Sequence, residues 1–181
     1  MFDLRSNLYE SGDFGRPAHA SHAFLLNRAI SQFNQARWDG LLEKIWCTLL
    51  RRTDALFDLE NLATNKVRAQ RYGGLQPVSL ELICGTLGRT GDFDSRFHPL
   101  ADRLRDRWVS IAIARSQNTP LEPVALIQVG DCYFINDGHH RISVARARGE
   151  AAIDAEITIW EFAGSLPWEK QTSPSFLTQT A

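Results

Sequence analysis

The sequence predicts an α/β (α+β) fold, a compact domain of short mixed strands and helices preceded by an N-terminal helical hairpin. Three observations predict it. Apolar residues recur at helical spacing through residues 21–50, and short β-prone runs alternate with helix-like stretches after residue 73. A chain of 181 residues at 44% hydrophobic composition is also long enough for one well-cored domain with an appendage. The expected divisions are a helical extension over 1–72, the α/β domain over 73–162 and a loose polar tail over 163–181, rich in Pro, Ser and Thr.

In chain order, Phe24, Leu25, Ile30, Phe33 and Trp38 follow a helical period between Ser21 and Trp38. After Asp39-Gly40 a second stretch, Leu41-Leu42, Ile45-Trp46 and Leu49-Leu50, ends in Arg51-Arg52, basic side chains that suit a helix C-terminus. The two stretches are expected to pair as the hairpin. Gly73-Gly74 and the following Pro77 mark the start of a new unit. Residues 78–83 alternate as a short strand, and the loop over 85–92 holds Gly85, Gly88 and Gly91, which brings backbone close to something. A helix is expected between Pro99 and Arg115 from the positions of Leu104, Trp108, Ile111 and Ala112. Strands over 124–129 and 132–135 meet at the tight turn Gly130-Asp131. A helix then begins at the histidine pair and stops near Gly149, and Ile153, Ala155, Ile157 and Ile159 alternate with polar residues as a final half-buried strand.

Composition narrows the function classes. Twenty basic and twenty-one acidic side chains leave a formal net charge of −1, without the global basicity that holds nucleic acid non-specifically. Cys47, Cys84 and Cys132 are far apart and odd in number, so they predict buried thiols in a reducing compartment and neither a disulfide framework nor a cysteine zinc cluster. The N-terminal residues include Asp3, Glu10 and Asp13 and no apolar run, and no stretch approaches the ~20 apolar residues of a membrane span. A cytoplasmic protein with no membrane partner is the expectation.

The chemistry concentrates in Asp137-Gly138-His139-His140-Arg141. A strand that turns through Asp-Gly into a helix aims the positive end of the helix dipole, and the N–H groups of its first turn, at one point. Gly138 allows close approach of backbone to a phosphate, and Arg141 offers a two-pronged donor to phosphate oxygens. Asp137 is a candidate helix cap, magnesium ligand or catalytic base. His139 and His140 point about a hundred degrees apart on a helix, so one of them serves structure and the other is expected to meet ligand. Their adjacency lacks the i,i+4 spacing of a helical zinc motif.

The run from Tyr133 to Ala145, with Gly149 and the strand over 153–158, resembles the signature helix of the ParB/sulfiredoxin superfamily, over about half the chain. ParB partition proteins carry Gly-Glu-Arg-Arg there and use it to bind the triphosphate of CTP; Gly138 and Arg141 match that motif. The sulfiredoxin motif, Gly-Cys-His-Arg, is matched at Gly138, His140 and Arg141, but His139 stands where the reactive cysteine belongs, so sulfiredoxin activity is not expected. Free-serine kinases of the same fold carry Asp-Gly-His-Thr-Arg, matched at Asp137, Gly138, His139 and Arg141. The stretches over 70–89 and 92–94 are similar to an uncharacterised bacterial group of ParB N-terminal-like domains, which places Arg89 in the loop that faces the nucleotide.

The resemblance implies a nucleoside triphosphate or diphosphate, CTP or ATP/ADP, with Mg2+ as a candidate companion. Gly138, His139, His140, Arg141 and Arg89 are the candidate phosphate-binding residues, and Asp137 and His139 the candidate catalytic ones. The leading expectation is a nucleotide-dependent regulatory switch, with a homodimer through the N-terminal helices as a candidate assembly. A small-molecule kinase is the alternative and would draw its carboxylates from Asp137, Asp92, Asp94 and Glu81. A DNA-associated regulator would use Arg51, Arg52, Lys66, Arg68 and Arg71, a patch diluted by Asp54, Asp58 and Glu60.

Overall fold

The computed structural model describes residues 18–50, 56–60, 67–88 and 90–163. Helix α1 (Ala18–Leu49) is followed by strands β1 (Phe57–Asp58), β2 (Val67–Ser79) and β3 (Ile83–Thr86), the last two joined by a 3-10 turn over Leu80–Leu82. Helix α2 (Arg105–Ser116) leads to the hairpin of β4 (Val124–Val129) and β5 (Cys132–Asp137), then helix α3 (His139–Ala147) and strand β6 (Ala152–Phe162). The expected α/β class holds. Six strands form one mixed sheet in the order β1-β3-β5-β4-β6-β2. β1, β3 and β5 run parallel, β4 lies antiparallel to β5 and parallel to β6, and β2 closes the far edge antiparallel to β6.

Strand alternation divides the apolar residues between the two faces of this sheet. On one face Leu126, Ile135 and Ile157 join Trp108, Ile142 and Phe33 in the main core beneath the helices. On the other face Leu59, Ile127, Val129 and Phe134 form a smaller cluster with Cys132, Trp160 and Phe162 packed around it.

The helical hairpin expected before this domain is instead one helix of 32 residues. Gly40 is not a breaker. A Cβ there would lie 2.8 Å from the Cβ of His98, so the glycine lets α1 press against the 93–98 loop. The loop contact offsets the roughly 0.5–1 kcal/mol that a mid-helix glycine costs. The inward stripe of α1 is made of Ala29, Phe33, Ala36 and Gly40, spaced by four, three and four residues. Phe33 meets Trp108 of α2 edge-on at 5.6 Å between ring centroids. Phe24, Trp38, Leu42, Ile45, Trp46 and Leu49, the large apolar residues that advertise the helix in the sequence, point outward.

The division expected at residue 72 also falls inside an element. β2 runs through it, and Gly73-Gly74 form a bulge, marked by a register shift between Tyr72 and Gly74 against β6 and by φ +92° at Gly74. Residues 78–83 are shared among the end of β2, the 3-10 turn and the first position of β3 rather than forming their own strand. Gly85 belongs to β3, where a Cβ would lie 2.2 Å from the carbonyl oxygen of Phe57. Its small size serves the β1–β3 pairing, not a ligand. The polar tail lies outside the described residues from 164 onward.

Candidate functional site

The site forms where β5 ends and α3 begins. Asp137 is the last residue of β5, and Gly138 turns the chain with φ +100° and ψ 19°, a left-handed conformation that side chains rarely tolerate. Space excludes a side chain as well: a Cβ on Gly138 would sit 2.5 Å from Cγ1 of Val124 on β4. The glycine predicted as a phosphate cradle is therefore demanded by the fold itself. Its first helical hydrogen bond runs from the Ile142 N–H to the Gly138 carbonyl. Gly138 has no side chain with which to cap this end of α3, and no acidic residue stands in its first turn. Nothing there offsets the positive end of the dipole from within the helix.

The histidine rings turn inward. His139 is 3% exposed, shares a 2.6 Å hydrogen bond between its Nε2 and the Thr86 hydroxyl on β3, and stacks on Phe93 at 6.0 Å. His140, 9% exposed, meets the same Phe93 edge-on at 5.5 Å. Both rings thus close on one aromatic side chain from two directions, which the 100° separation of neighbours on a helix permits only because Phe93 sits between them. Both residues are thus almost wholly enclosed, main chain included, and neither ring is presented openly to solvent.

Arg141 is the tether. Its Nη1 donates to the carbonyls of Glu122 and Pro123, the latter at 2.8 Å, and its Nη2 donates to Oδ2 of Asp137 at 2.7 Å. The guanidinium thereby ties the start of α3 to the segment entering β4. Asp137 keeps 67% of its side chain exposed against 14% for Arg141, so the ion pair lies at the mouth of the site.

Asp137, Gly138, His139, His140 and Arg141 share a cleft of about 40 Å³ with Arg107 and Ile111 of α2. Arg107 was not singled out in the sequence. It lies among Arg103, Arg105 and Arg115 on a helix whose charged face looks uniformly solvated, and the one pointer was its i,i+4 spacing from Ile111, which puts both on one face. Trp108 orients that face, because its indole Nε1 donates to Oγ of Ser143 inside α3 at 2.9 Å and fixes the two helices against each other.

Other candidates are scattered. Asp92 pairs with Arg103; Asp94 is buried and accepts from Nδ1 of His98 at 2.7 Å and from the N–H groups of Arg96 and His98. Glu81 lines a different cleft at the far end of α3, so Asp137 is the one of the four nominated carboxylates that lines this site. Among the described residues no group of three or more His, Cys, Asp and Glu side chains is placed to hold a metal ion. Mg2+ is usually held by one or two carboxylates together with substrate phosphates and water, and Asp137 is the one nominated carboxylate at this cleft. Arg89, Arg51, Arg52, Lys66 and Asp54 lie outside the described residues. Of the remaining basic candidates for DNA, Arg71 faces Glu161 at 3.7 Å. No described helix is long and apolar enough to cross a membrane.

No protein family and no curated protein matches the chain. Among solved structures it is similar to the crystal structure of sulfiredoxin from Arabidopsis thaliana, at 22% identity and a TM-score of 0.36, over 46% of this chain and 82% of that one.

Proposed function

We propose that this chain binds a phosphate-bearing ligand, a nucleoside di- or triphosphate, with one phosphate group at the start of α3, and that it acts as a regulatory switch. One observation carries the proposal: an uncapped helix start and two arginines, Arg107 and Arg141, converge on a single cleft. Sites for whole small molecules usually measure ~300–1,000 Å³. A cleft of about 40 Å³ takes a phosphate group and leaves the sugar and base outside it. The switch element is the Asp137–Arg141 pair. An incoming phosphate competes with Asp137 for Nη2 of Arg141, which defines a carboxylate-paired state and a phosphate-paired state of the same guanidinium.

A kinase would need a base and metal ligands beside the terminal phosphate, and Asp137 alone of the nominated carboxylates lines this cleft. The switch is therefore preferred. Calorimetric titration of the protein with ATP, ADP, CTP and GTP, each with and without Mg2+, tests the proposal. Saturable binding of at least one nucleotide, without turnover of it, is expected. Absence of binding to all four would overturn it, and phosphate transfer or release at catalytic rates would replace the switch with an enzyme.

A further inference from the structure

Two of the three cysteines, far apart in sequence, meet in space. Cys84 on β3 and Cys132 at the start of β5 bring their sulfurs to 3.0 Å. The pairing explains it. Between the rungs Ile83↔Tyr133 and Gly85↔Phe134, β3 advances two residues while β5 advances one, so Cys84 is the extra residue of a bulge. A bulge re-aims the side chain it carries, and here Cys84 meets the residue that precedes Tyr133. Cys132 packs against the smaller cluster, on the sheet face opposite α3. Both side chains are half-buried, so a small reagent has access. Cys47 belongs to α1, with its sulfur 3.9 Å from the Glu43 carboxylate.

We propose that Cys84 and Cys132 are a redox-reactive dithiol that closes into an intrachain disulfide between β3 and β5 on exchange with a small-molecule disulfide. From their 3.0 Å separation the sulfurs must approach by only about 1 Å to reach a disulfide bond length. Cys84 reacts first. Its thiolate, the proton lost to solvent, attacks one sulfur of the oxidant, forming a mixed disulfide and releasing the other half as a thiolate that takes up a proton. Cys132 gives its proton to solvent, attacks the Cys84 sulfur and expels the second half of the oxidant as a thiolate, also protonated. Two protein thiols lose two electrons and one oxidant disulfide becomes two thiols.

The order follows from the surroundings of Cys132. Burial, then the Cys84 sulfur as hydrogen-bond partner and as charge, then Asp131 push its thiol up to about 12, so it is a poor first nucleophile. Capping Cys84 in the mixed disulfide removes its charge from that set, which favours the second step. The closed disulfide would join the strands that carry Thr86, the anchor of His139, and Asp137.

The test equilibrates the reduced full-length protein in buffers of oxidised and reduced glutathione, quenches with an alkylating reagent and maps the peptides by mass spectrometry. One peptide pair linked through Cys84 and Cys132 is expected, in a fraction that rises with the concentration of oxidised glutathione over the square of that of reduced glutathione, with Cys47 still alkylated. In Cys132→Ser, Cys84 should hold a stable glutathione adduct that wild type does not accumulate. Independent alkylation of Cys84 and Cys132 in the most oxidising buffer, or a persistent glutathione adduct on wild type, would overturn the proposal. Should Cys132→Ser fail to fold, the linked-peptide measurement on wild type decides alone.

Discussion

The two ends of α3 are built with the same device and face opposite ways electrically. At the first turn Arg141 donates to the carbonyls of Glu122 and Pro123; at the last turn Arg146 donates to the carbonyls of Leu80 and Ile83, the former contact at 2.5 Å. Each arginine holds an otherwise irregular segment against the helix. Their surroundings differ. Arg146 lies over the ring of Phe97 at 4.9 Å, and burial before all else lowers its pKa, with Asp94 foremost among the charges that raise it. Its cleft is the larger, about 370 Å³, yet Glu81 and Glu150 line it together with Arg96, His98 and Arg146, so opposite charges offset one another. The negative end of the dipole points the same way. At the first turn the cleft is about 40 Å³, but two arginines, one carboxylate and the positive dipole end meet there. Size and charge arrangement therefore separate within one helix.

Four substitutions would break or sharpen that comparison. The largest effect is expected for Gly138→Ala, which imposes both a positive φ and an overlap with Val124. A loss of roughly 3 kcal/mol in stability by urea unfolding is expected from strain and overpacking. A loss under ~1 kcal/mol would show that this turn relaxes freely and that glycine is not required by the fold.

Next come the two arginines as a pair. Arg146→Met removes the guanidinium that donates to the Leu80 and Ile83 carbonyls and should cost about 2–3 kcal/mol of stability while nucleotide affinity stays within a factor of two. Arg141→Ala should show the reverse emphasis, losing ~1 kcal/mol of stability and at least tenfold in affinity in the same calorimetric titration. Equal losses of affinity from both variants would erase the distinction between the two ends.

The smallest effect belongs to Arg107→Ala. Its side chain is exposed, so stability should change by less than ~0.5 kcal/mol. Affinity should fall a few-fold, and the salt dependence of binding should become shallower. An unchanged salt dependence would remove Arg107 from the site and leave Arg141 as its one arginine.

Local signals made half of this structure legible. The β4–β5 hairpin around Gly130, the start of α3 at His139 and the alternation of β6 all appear where periodicity and turn chemistry place them, because each depends on residues within a few positions. The Asp137–Arg141 neighbourhood was legible for the same reason, being contained in five consecutive residues. Gly40 and Gly73-Gly74 misled because glycine signals a special backbone or a close neighbour without saying which. His98 and the β6 register supply that answer from far along the chain.

By itself, then, the sequence determined the fold class and the strand-to-helix turn at Asp137-Gly138. Only the tertiary structure decided that α1 is continuous, that Ala29, Phe33, Ala36 and Gly40 face inward along it while Trp38, Leu42, Ile45, Trp46 and Leu49 face outward, that Arg107 joins the cleft and that Cys84 meets Cys132. The physical reason is the range of the forces involved. Backbone propensity and dipoles act within a turn or two, whereas packing and strand register join residues that the chain order keeps dozens of positions apart.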